Sequence, residues 1–292
     1  MPSLTIGTPV ADDYDGVFFT FQSLKLHHDL SDDVEFLIVD QKPDSQSGKD
    51  TKKLCKSLGC TYIEQRETFG SSVGKQAVFK NATSDFVLCV DSHVLFPLGS
   101  IQKLLQYLNE NPKTDNLLQG PLLYDDHRHI STHFKTPFEW GNGALGTWDT
   151  DERGQDPESE PFEIPACGLG VFCARRESWA GFNPAFVGFG AEEVYLHKKY
   201  KLRGDKTLCL PFLRWLHRFA RPLGVPYRFH MRDVMRNYCV GYLEVGAEDS
   251  EIEAMREHFR PMIGVHDTTM LIDAYYRVKN QWQSTPKDLR RR

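Results

Sequence analysis

The chain has 292 residues, with 35 Lys or Arg and 40 Asp or Glu, which gives a formal net charge of −5. A hydrophobic share of 40% with 26% charged residues is typical of a soluble globular protein and excludes disordered, collagenous and membrane-spanning classes. The negative charge also excludes binding to a polyanion by bulk electrostatics, so any basic site has to be local.

The predicted elements of the first half alternate short β-rich runs with helical patterns. The predicted strands are residues 4–8, 35–40, 61–63 and 85–90, and the predicted helices are residues 17–28, 50–58 and 75–82. This alternation is typical of βαβ units around a mainly parallel sheet. The run Phe-Val-Leu-Cys-Val at 86–90 is wholly apolar, which predicts a strand buried on both faces.

The second half continues with a helix that Ser100 caps and the Asn111-Pro112 step ends. Residues 148–163 carry seven acidic residues and one basic residue, which predicts a solvated loop. The remaining predicted elements are strands at 117–124, 168–174 and 208–213, helices at 191–202, 250–259 and 268–282, and an Arg-rich segment at 214–236.

Cysteine usage and the absence of targeting patterns bear on location. The seven cysteines are odd in number and form no Cys-x-x-Cys pair, which predicts reduced thiols. The first residues lack the features of a signal peptide, and no apolar stretch approaches the ~20 residues that cross a bilayer. We therefore expect a cytoplasmic protein with no membrane anchor.

The strongest local feature is Asp91-Ser92-His93, which directly follows the buried strand at 86–90. Ligands collect outside the carboxyl ends of strands in open α/β sheets, so an Asp and a His that emerge together form a candidate metal pair. A carboxylate oxygen and an imidazole nitrogen suit Mn²⁺ or a similar divalent ion.

The order of the motifs resembles the nucleotide-binding half of GT-A fold glycosyltransferases. Thr8-Pro9-Val10 ends the first strand, Asp40 ends the second, and Gly74-Lys75 opens a helix before the metal pair. In the second half, the segments at 166–172, 188–193 and 216–219 are similar to Ala-Gly-Gly-Leu, Trp-Gly-Gly-Glu-Asn and Gly-His-Val-Phe-Arg of the polypeptide N-acetylgalactosaminyltransferases. The double acid Glu192-Glu193 is closer to the Gly-Gly-Glu-Asp of family-2 glycosyltransferases.

The resemblance implies roles for particular residues. Metal ligands would be Asp91, His93 and His217; nucleotide contacts would be Thr8, Pro9, Val10, Asp40, Lys75, Ser92, Gly168 and Leu169; catalytic residues would be Glu192, Glu193, Arg221 and Tyr227. In the family-2 pattern the position of Glu193 holds the general base of an inverting displacement, whereas the polypeptide transferases have Asn there and retain configuration. The stereochemical outcome therefore stays open.

The implied fold is α/β, with a Rossmann-like GT-A domain at 1–236 and a helical C-terminal extension at 237–292. The domain would divide into a nucleotide-binding half, 1–95, and an acceptor and catalytic half, 96–236. The implied activity is transfer of a sugar from a UDP-sugar to a hydroxyl, dependent on Mn²⁺ or Mg²⁺.

The acceptor favoured by the resemblance is a protein Ser or Thr. Because the chain lacks the stem and lectin domain of the animal enzymes, we expect a bacterial or phage setting. The alternative acceptor is a hydroxymethylated base in phage-type DNA, which the basic tail Arg290-Arg291-Arg292 would serve. Two further alternatives are a catalytically silent nucleotide-sugar-binding module and an enzyme that hydrolyses UDP-sugars.

Overall fold

The structure is a computed structural model that describes residues 3–28, 30, 34–219 and 229–284. Strands and helices alternate in the first third of the chain, as the sequence pattern predicts. In chain order these elements are β1 (Leu4–Val10), α1 (Tyr14–His27), β2 (Val34–Asp40), α2 (Gln46–Leu58), β3 (Thr61–Glu64), α3 (Ser71–Asn81) and β4 (Phe86–Val90).

Short strands dominate the middle of the chain. They are β5 (Val94–Leu95), β6 (Leu117–Gln119), β7 (Leu122–Leu123), β8 (Ile130–Ser131), β9 (His133–Phe134), β10 (Trp140–Gly141), β11 (Ala144–Leu145), β12 (Trp148–Asp149), β13 (Phe162–Glu163) and β14 (Val171–Arg175), with α4 (Ser100–Glu110) after β5 and a 3₁₀ turn (Glu152–Gln155) after β12. The last elements are α5 (Glu192–Arg203), β15 (Thr207–Cys209), β16 (Trp215–His217), α6 (Met231–Val245) and α7 (Asp249–Ser284).

The main sheet has eight strands in the order β13-β15-β6-β14-β4-β1-β2-β3. The pairs β4-β1, β1-β2 and β2-β3 are parallel, and β14 is antiparallel to both β4 and β6. The predicted α/β fold with a mainly parallel sheet is therefore confirmed. Because parallel strands end at the same edge, the segments after β1, β2 and β4 lie side by side.

β4 is buried along its whole length, as its apolar sequence predicts. Alternate side chains point to opposite faces of a strand. Leu88 and Val90 lie in a core with Leu104 of α4, whereas Val87 and Cys89 lie in a second core with Val78 of α3. Helices thus cover both faces of the sheet.

The predicted strand at 117–124 is two strands in two sheets. β6 belongs to the main sheet and β7 to a four-stranded sheet of order β5-β16-β7-β8. The break falls at Gly120-Pro121, because proline cannot donate a hydrogen bond to a ladder. A Cβ at Gly120 would also lie 1.8 Å from the carbonyl oxygen of Leu213, so only glycine fits there.

The acidic stretch at 148–163 is more structured than the predicted solvated loop. It contains β12, the 3₁₀ turn and β13, and the Phe162 side chain is buried. The Arg153 guanidinium lies 4.2 Å from the centre of the Phe162 ring, an attractive cation–π contact. One aromatic residue therefore anchors a segment whose composition predicts solvation.

The C-terminal helices pack on the rest of the fold. Met235 and Tyr238 of α6 share a core with Met255 and Phe259 of α7. The Leu145 N–H donates to the Tyr238 hydroxyl over 2.7 Å, which ties the β10–β11 hairpin to α6. The predicted helical C-terminal extension is confirmed. The expected domain boundary at 236/237 lies inside α6. This helix begins within residues 214–236, where the sequence pattern indicates only an Arg-rich segment.

α7 is two helical segments joined at Gly264, whose backbone is not helical (φ 84°). This agrees with the two helices predicted in the tail.

No helix in the described parts of the chain combines the length and apolar character needed to cross a membrane. All seven cysteines are free thiols, as predicted.

Candidate active site

Three side chains suited to hold a metal ion meet at the carboxyl edge of the main sheet. They are Asp91, His93 and His217, and one ligand atom of each lies within 4.8 Å of the others. The two Nε2 atoms of the imidazoles are 3.0 Å apart, and His93 Nε2 is 4.0 Å from Asp91 Oδ2. Two ligands at right angles around an ion, each about 2.1 Å from it, are separated by about 3.0 Å. The spacing of the imidazoles therefore fits a shared divalent ion.

Backbone pairing brings His217 to the Asp-X-His motif from a distant part of the chain. β16 pairs antiparallel with β5, so that His217 lies opposite Val94. The Arg218 N–H donates to the His93 carbonyl oxygen over 3.0 Å, and the Asp91 N–H donates to the Gly170 carbonyl oxygen over 2.8 Å. The three ligands are thus held by hydrogen bonds of the backbone on both sides of the motif.

The donor set itself discriminates among metals. One carboxylate oxygen and two imidazole nitrogens suit Mn²⁺ and other first-row ions, whereas Mg²⁺ prefers an all-oxygen environment. The residues present therefore fit a divalent transition metal better than Mg²⁺.

Lys75 joins this cluster from α3. Its side chain is 7% exposed, and its Nζ lies 3.7 Å from Asp91 Oδ1 and 3.5 Å from Glu192 Oε1. Burial disfavours the charged form of this amine. The attraction of Asp91, Glu192 and Glu193 for the positive charge outweighs the effect of burial, and the pKa of Lys75 is raised above its ordinary value. The ammonium is therefore a permanent positive charge between two carboxylates.

Glu192 and Glu193 open α5 and line the same cleft as Asp91 and His93. The Oε2 atom of Glu192 is buried and has no hydrogen-bond partner among the described residues. Burial raises the pKa of Glu193 to about 7; Glu192 adds to this and Lys75 opposes it. The pair thus offers one acceptor for a ligand hydroxyl and one carboxyl that exchanges a proton near neutral pH.

The helix start is strained at Ala191. This residue has φ 77°, in the left-handed region that side chains with a Cβ disfavour by roughly 1–2 kcal/mol. Gly190 before it also has a positive φ, 97°. The turn aims Glu192 and Glu193 into the cleft, so the strain lies where the fold presents its acidic pair.

The predicted nucleotide contacts divide into two groups. Pro9, Val10, Lys75 and Ser92 line the cleft. Thr8 and Asp40 do not: both are buried, and Asp40 accepts hydrogen bonds from the Tyr62 hydroxyl (2.7 Å) and the Lys42 N–H (2.8 Å).

The neighbouring Gln41 takes the place at the cleft that was expected for Asp40. Burial raises the pKa of Asp40, with the Tyr62 hydrogen bond opposing it. Its carboxyl group is hydrogen-bonded to β3 and to the loop after β2, and a contact of Asp40 with a nucleotide stays a prediction.

Gly168 and Leu169 are placed away from the cleft. Leu169 is 2% exposed and packs in the core, and the Gly168 carbonyl oxygen accepts a hydrogen bond from Gln119 Nε2 over 2.9 Å. The residue of this segment that meets the metal motif is Gly170, where a Cβ would lie 3.6 Å from Asp91 Oδ2. Contacts of Gly168 and Leu169 with a nucleotide stay predictions.

Two predicted catalytic residues, Arg221 and Tyr227, lie outside the described residues, as does the basic tail. Aromatic side chains line part of the cleft. The Phe189 ring lies 5.4 Å from that of Phe69 and 5.8 Å from that of Phe229, and Phe189 and Phe229 line the cleft. Phe69 and Phe229 are exposed, and accessible rings of this kind favour stacking on a sugar or base.

The buried side chain of His197 contacts the backbone of Glu193. It is 3% exposed, its Nδ1 lies 2.6 Å from the Glu193 carbonyl oxygen, and its Nε2 lies 2.6 Å from Gln119 Oε1 and 3.2 Å from the Cys167 backbone nitrogen. Burial lowers its pKa from 6.5 to about 4. The folded protein therefore keeps this ring neutral at pH values where the unfolded chain protonates it.

This difference predicts loss of stability in mild acid. As the pH falls, His197 is protonated in the unfolded chain before it is protonated in the folded protein. Its contribution to the free energy of unfolding should therefore decrease by about 3 kcal/mol between pH 7 and pH 4. In urea unfolding, the stability difference between the wild type and His197→Gln should shrink by that amount over the same range. The exposed His266→Gln should follow the wild type, and a pH-independent deficit of His197→Gln would contradict the assignment.

Sequence comparison with known proteins finds a family match and several relatives. Residues 9–174, more than half of the chain, match the model of glycosyl transferase family 2. The chain is 26% identical over 190 residues to polypeptide N-acetylgalactosaminyltransferase 11 of Xenopus tropicalis; the match covers 60% of this chain and 30% of that protein. The chain thus spans about a third of the length of this relative.

Solved structures show the same fold. GalNAc-T7 with UDP, GalNAc and Mn²⁺ superposes with a TM-score of 0.63 at 15% identity, over 90% of this chain and 56% of that one. The 1–349 fragment of S. aureus TarS with UDP-GlcNAc superposes with a TM-score of 0.57 at 15% identity, over 93% and 79% of the two chains. The predicted GT-A fold is confirmed.

Proposed function

The chain belongs to glycosyl transferase family 2, and on that basis we propose that it transfers a sugar from a UDP-sugar to a hydroxyl acceptor with the help of a divalent metal ion. The observation that carries the proposal is the cluster of Asp91, His93 and His217, of which Asp91 and His93 line the same cleft as Glu192 and Glu193.

Two observations support a UDP-sugar as the donor: the ligands of the similar solved structures and the residues that line the cleft. GalNAc-T7 holds UDP, GalNAc and Mn²⁺, and TarS holds UDP-GlcNAc. Asp91, His93 and His217 would hold the ion, which when bound neutralises negative charge on the leaving diphosphate. Pro9 and Val10 line the adjoining part of the cleft, where the nucleoside would lie.

The acidic pair would act on the sugar and the acceptor. Glu192 Oε2, buried and without a partner among the described residues, would accept a hydrogen bond from a sugar hydroxyl. Glu193, with its pKa raised to about 7, would take the proton of the attacking hydroxyl. The catalytic roles that the resemblance implies for Arg221 and Tyr227 stay predictions.

The acceptor proposed is a Ser or Thr of a protein. The support is the match to polypeptide N-acetylgalactosaminyltransferases, whose names state a polypeptide acceptor. No observation in the described part of the chain favours a DNA acceptor, since the net charge is −5 and the basic tail lies outside it.

The test is UDP release from a panel of UDP-sugars by the purified protein, with Mn²⁺ or with EDTA. We expect release with at least one donor, stimulation by a Ser/Thr-containing peptide, and loss of activity with EDTA, because the diphosphate then leaves without charge neutralisation.

Three other outcomes would contradict the proposal. Metal-dependent UDP binding without release would identify a silent binding module. Release that no acceptor accelerates would identify a hydrolase. Equal rates with Mn²⁺ and EDTA would remove the metal from the mechanism.

A further inference from the structure

We propose that Asp13 is a positioning residue that orients the metal ligand His93, an inference that rests on the metal site proposed above. Asp13 follows β1 and lines the cleft. Its Oδ2 lies 3.8 Å from Nδ1 of His93, and the two side chains are only 15% and 8% exposed. The carboxylate therefore stands behind the ring, on the side away from His217.

The state of the His93 ring makes this contact significant. Its Nε2 faces His217 Nε2 at 3.0 Å, and a nitrogen that binds a metal carries no proton. The proton of the neutral ring is then on Nδ1, which is buried and has no hydrogen-bond partner among the described residues. A buried donor without an acceptor is costly, and the Asp13 carboxylate is the anion that faces it. A small turn of the ring would bring the two atoms to hydrogen-bond distance.

Asp13 is itself held firmly. Its Oδ1 accepts the Gly16 N–H over 3.1 Å and so caps α1, and its Oδ2 accepts the Ser92 hydroxyl over 2.7 Å. Ser92 is the middle residue of the metal motif, so one carboxylate contacts two consecutive residues of it. This explains why a serine suits that position.

α1 contributes a second contact to the same backbone. The Thr20 hydroxyl oxygen lies 3.0 Å from the Ser92 carbonyl oxygen and accepts the Val94 N–H over 3.2 Å. The start and the middle of α1 therefore both fix the turn between β4 and β5 that carries His93. A carboxylate that accepts from the outer nitrogen of a ligating imidazole fixes its orientation and increases its basicity.

The test measures Mn²⁺ binding rather than turnover. Asp13→Asn keeps an oxygen that caps α1 but removes the charge behind His93. We expect its Kd for Mn²⁺, measured by calorimetry with and without UDP, to rise about 10- to 100-fold. The matched control is Asp15→Asn, which removes the same charge from an exposed residue in the first turn of α1 and should bind as the wild type does.

A double-mutant cycle separates positioning from a general charge effect. If Asp13 acts through His93, Asp13→Asn should weaken Mn²⁺ binding no further once His93→Ala is present. Full additivity, or a wild-type Kd for Asp13→Asn in a folded protein, would overturn the inference and leave the metal site intact. Failure of the wild type to bind Mn²⁺ at all would overturn the metal site as well.

Discussion

Asp91→Asn should lower metal-dependent UDP release by about 1,000-fold or more, which corresponds to roughly 4 kcal/mol of transition-state stabilisation. In the proposed site Asp91 would supply the carboxylate of the ligand set, and asparagine would leave a neutral amide oxygen and two imidazoles to hold a doubly charged ion. Calorimetry with Mn²⁺ should show the matching loss of affinity.

The control for this variant lies at the other end of the same strand. Asp85 precedes β4 and hydrogen-bonds Ser3, far along the strand from the cleft. Asp85→Asn makes the same chemical change and should leave UDP release at the wild-type rate. An Asp91→Asn protein that is folded and as active as this control would show that the cluster does not act in the reaction.

Lys75→Met should lower the free energy of unfolding by about 3–5 kcal/mol, the usual effect of removing one partner of a buried ion pair. Methionine fills a similar volume, but Glu192, 3% exposed, and Asp91 lose the cation between them. Urea unfolding at pH 8 measures the effect. Because Lys75 opposes the rise in the pKa of Glu193 that burial causes, its loss should raise that pKa further, and the deficit should be smaller at pH 5, where Glu193 protonates.

Two further variants distinguish loss of charge pairing from loss of packing. Lys80→Met, on an exposed position of the same helix, should stay within about 0.5 kcal/mol of the wild type. Adding Glu192→Gln to Lys75→Met should restore part of the stability, since it removes a carboxylate that lacks a partner. A double variant less stable than Lys75→Met alone would contradict the electrostatic explanation.

The candidate metal ligands Asp91 and His93 could be predicted because their signals are local and ordered. Asp91 and His93 follow a wholly apolar strand, and the carboxyl edge of such a strand is where ligands collect. His217 could be placed only through the resemblance, because the β5–β16 pairing that moves it beside His93 joins two strands of two and three residues. Such short strands carry no periodicity that a sequence can display.

Other features depend on contacts that no local pattern records. Asp13 follows β1 at the same edge as Asp91, but it lies three residues beyond Thr8-Pro9-Val10, the segment to which the resemblance assigns a nucleotide contact. Leu169 lies next to the glycine that meets Asp91, yet its side chain points into the core. α6 begins in an Arg-rich segment, and its apolar face becomes evident only when Tyr238 and Met235 are seen against α7.

The pairing of His93 with His217 also has a consequence for how the chain keeps its shape. The two residues are 124 positions apart, so an ion bound to both would act as a reversible cross-link that closes a long loop. An ion that binds only the native chain stabilises it by about 1.4 kcal/mol for each tenfold rise in free concentration above its Kd. A low concentration of the metal would then have an effect beyond a slower reaction. Dissociation of the ion would remove the cross-link, increase the population of open forms, and make the chain more susceptible to proteases.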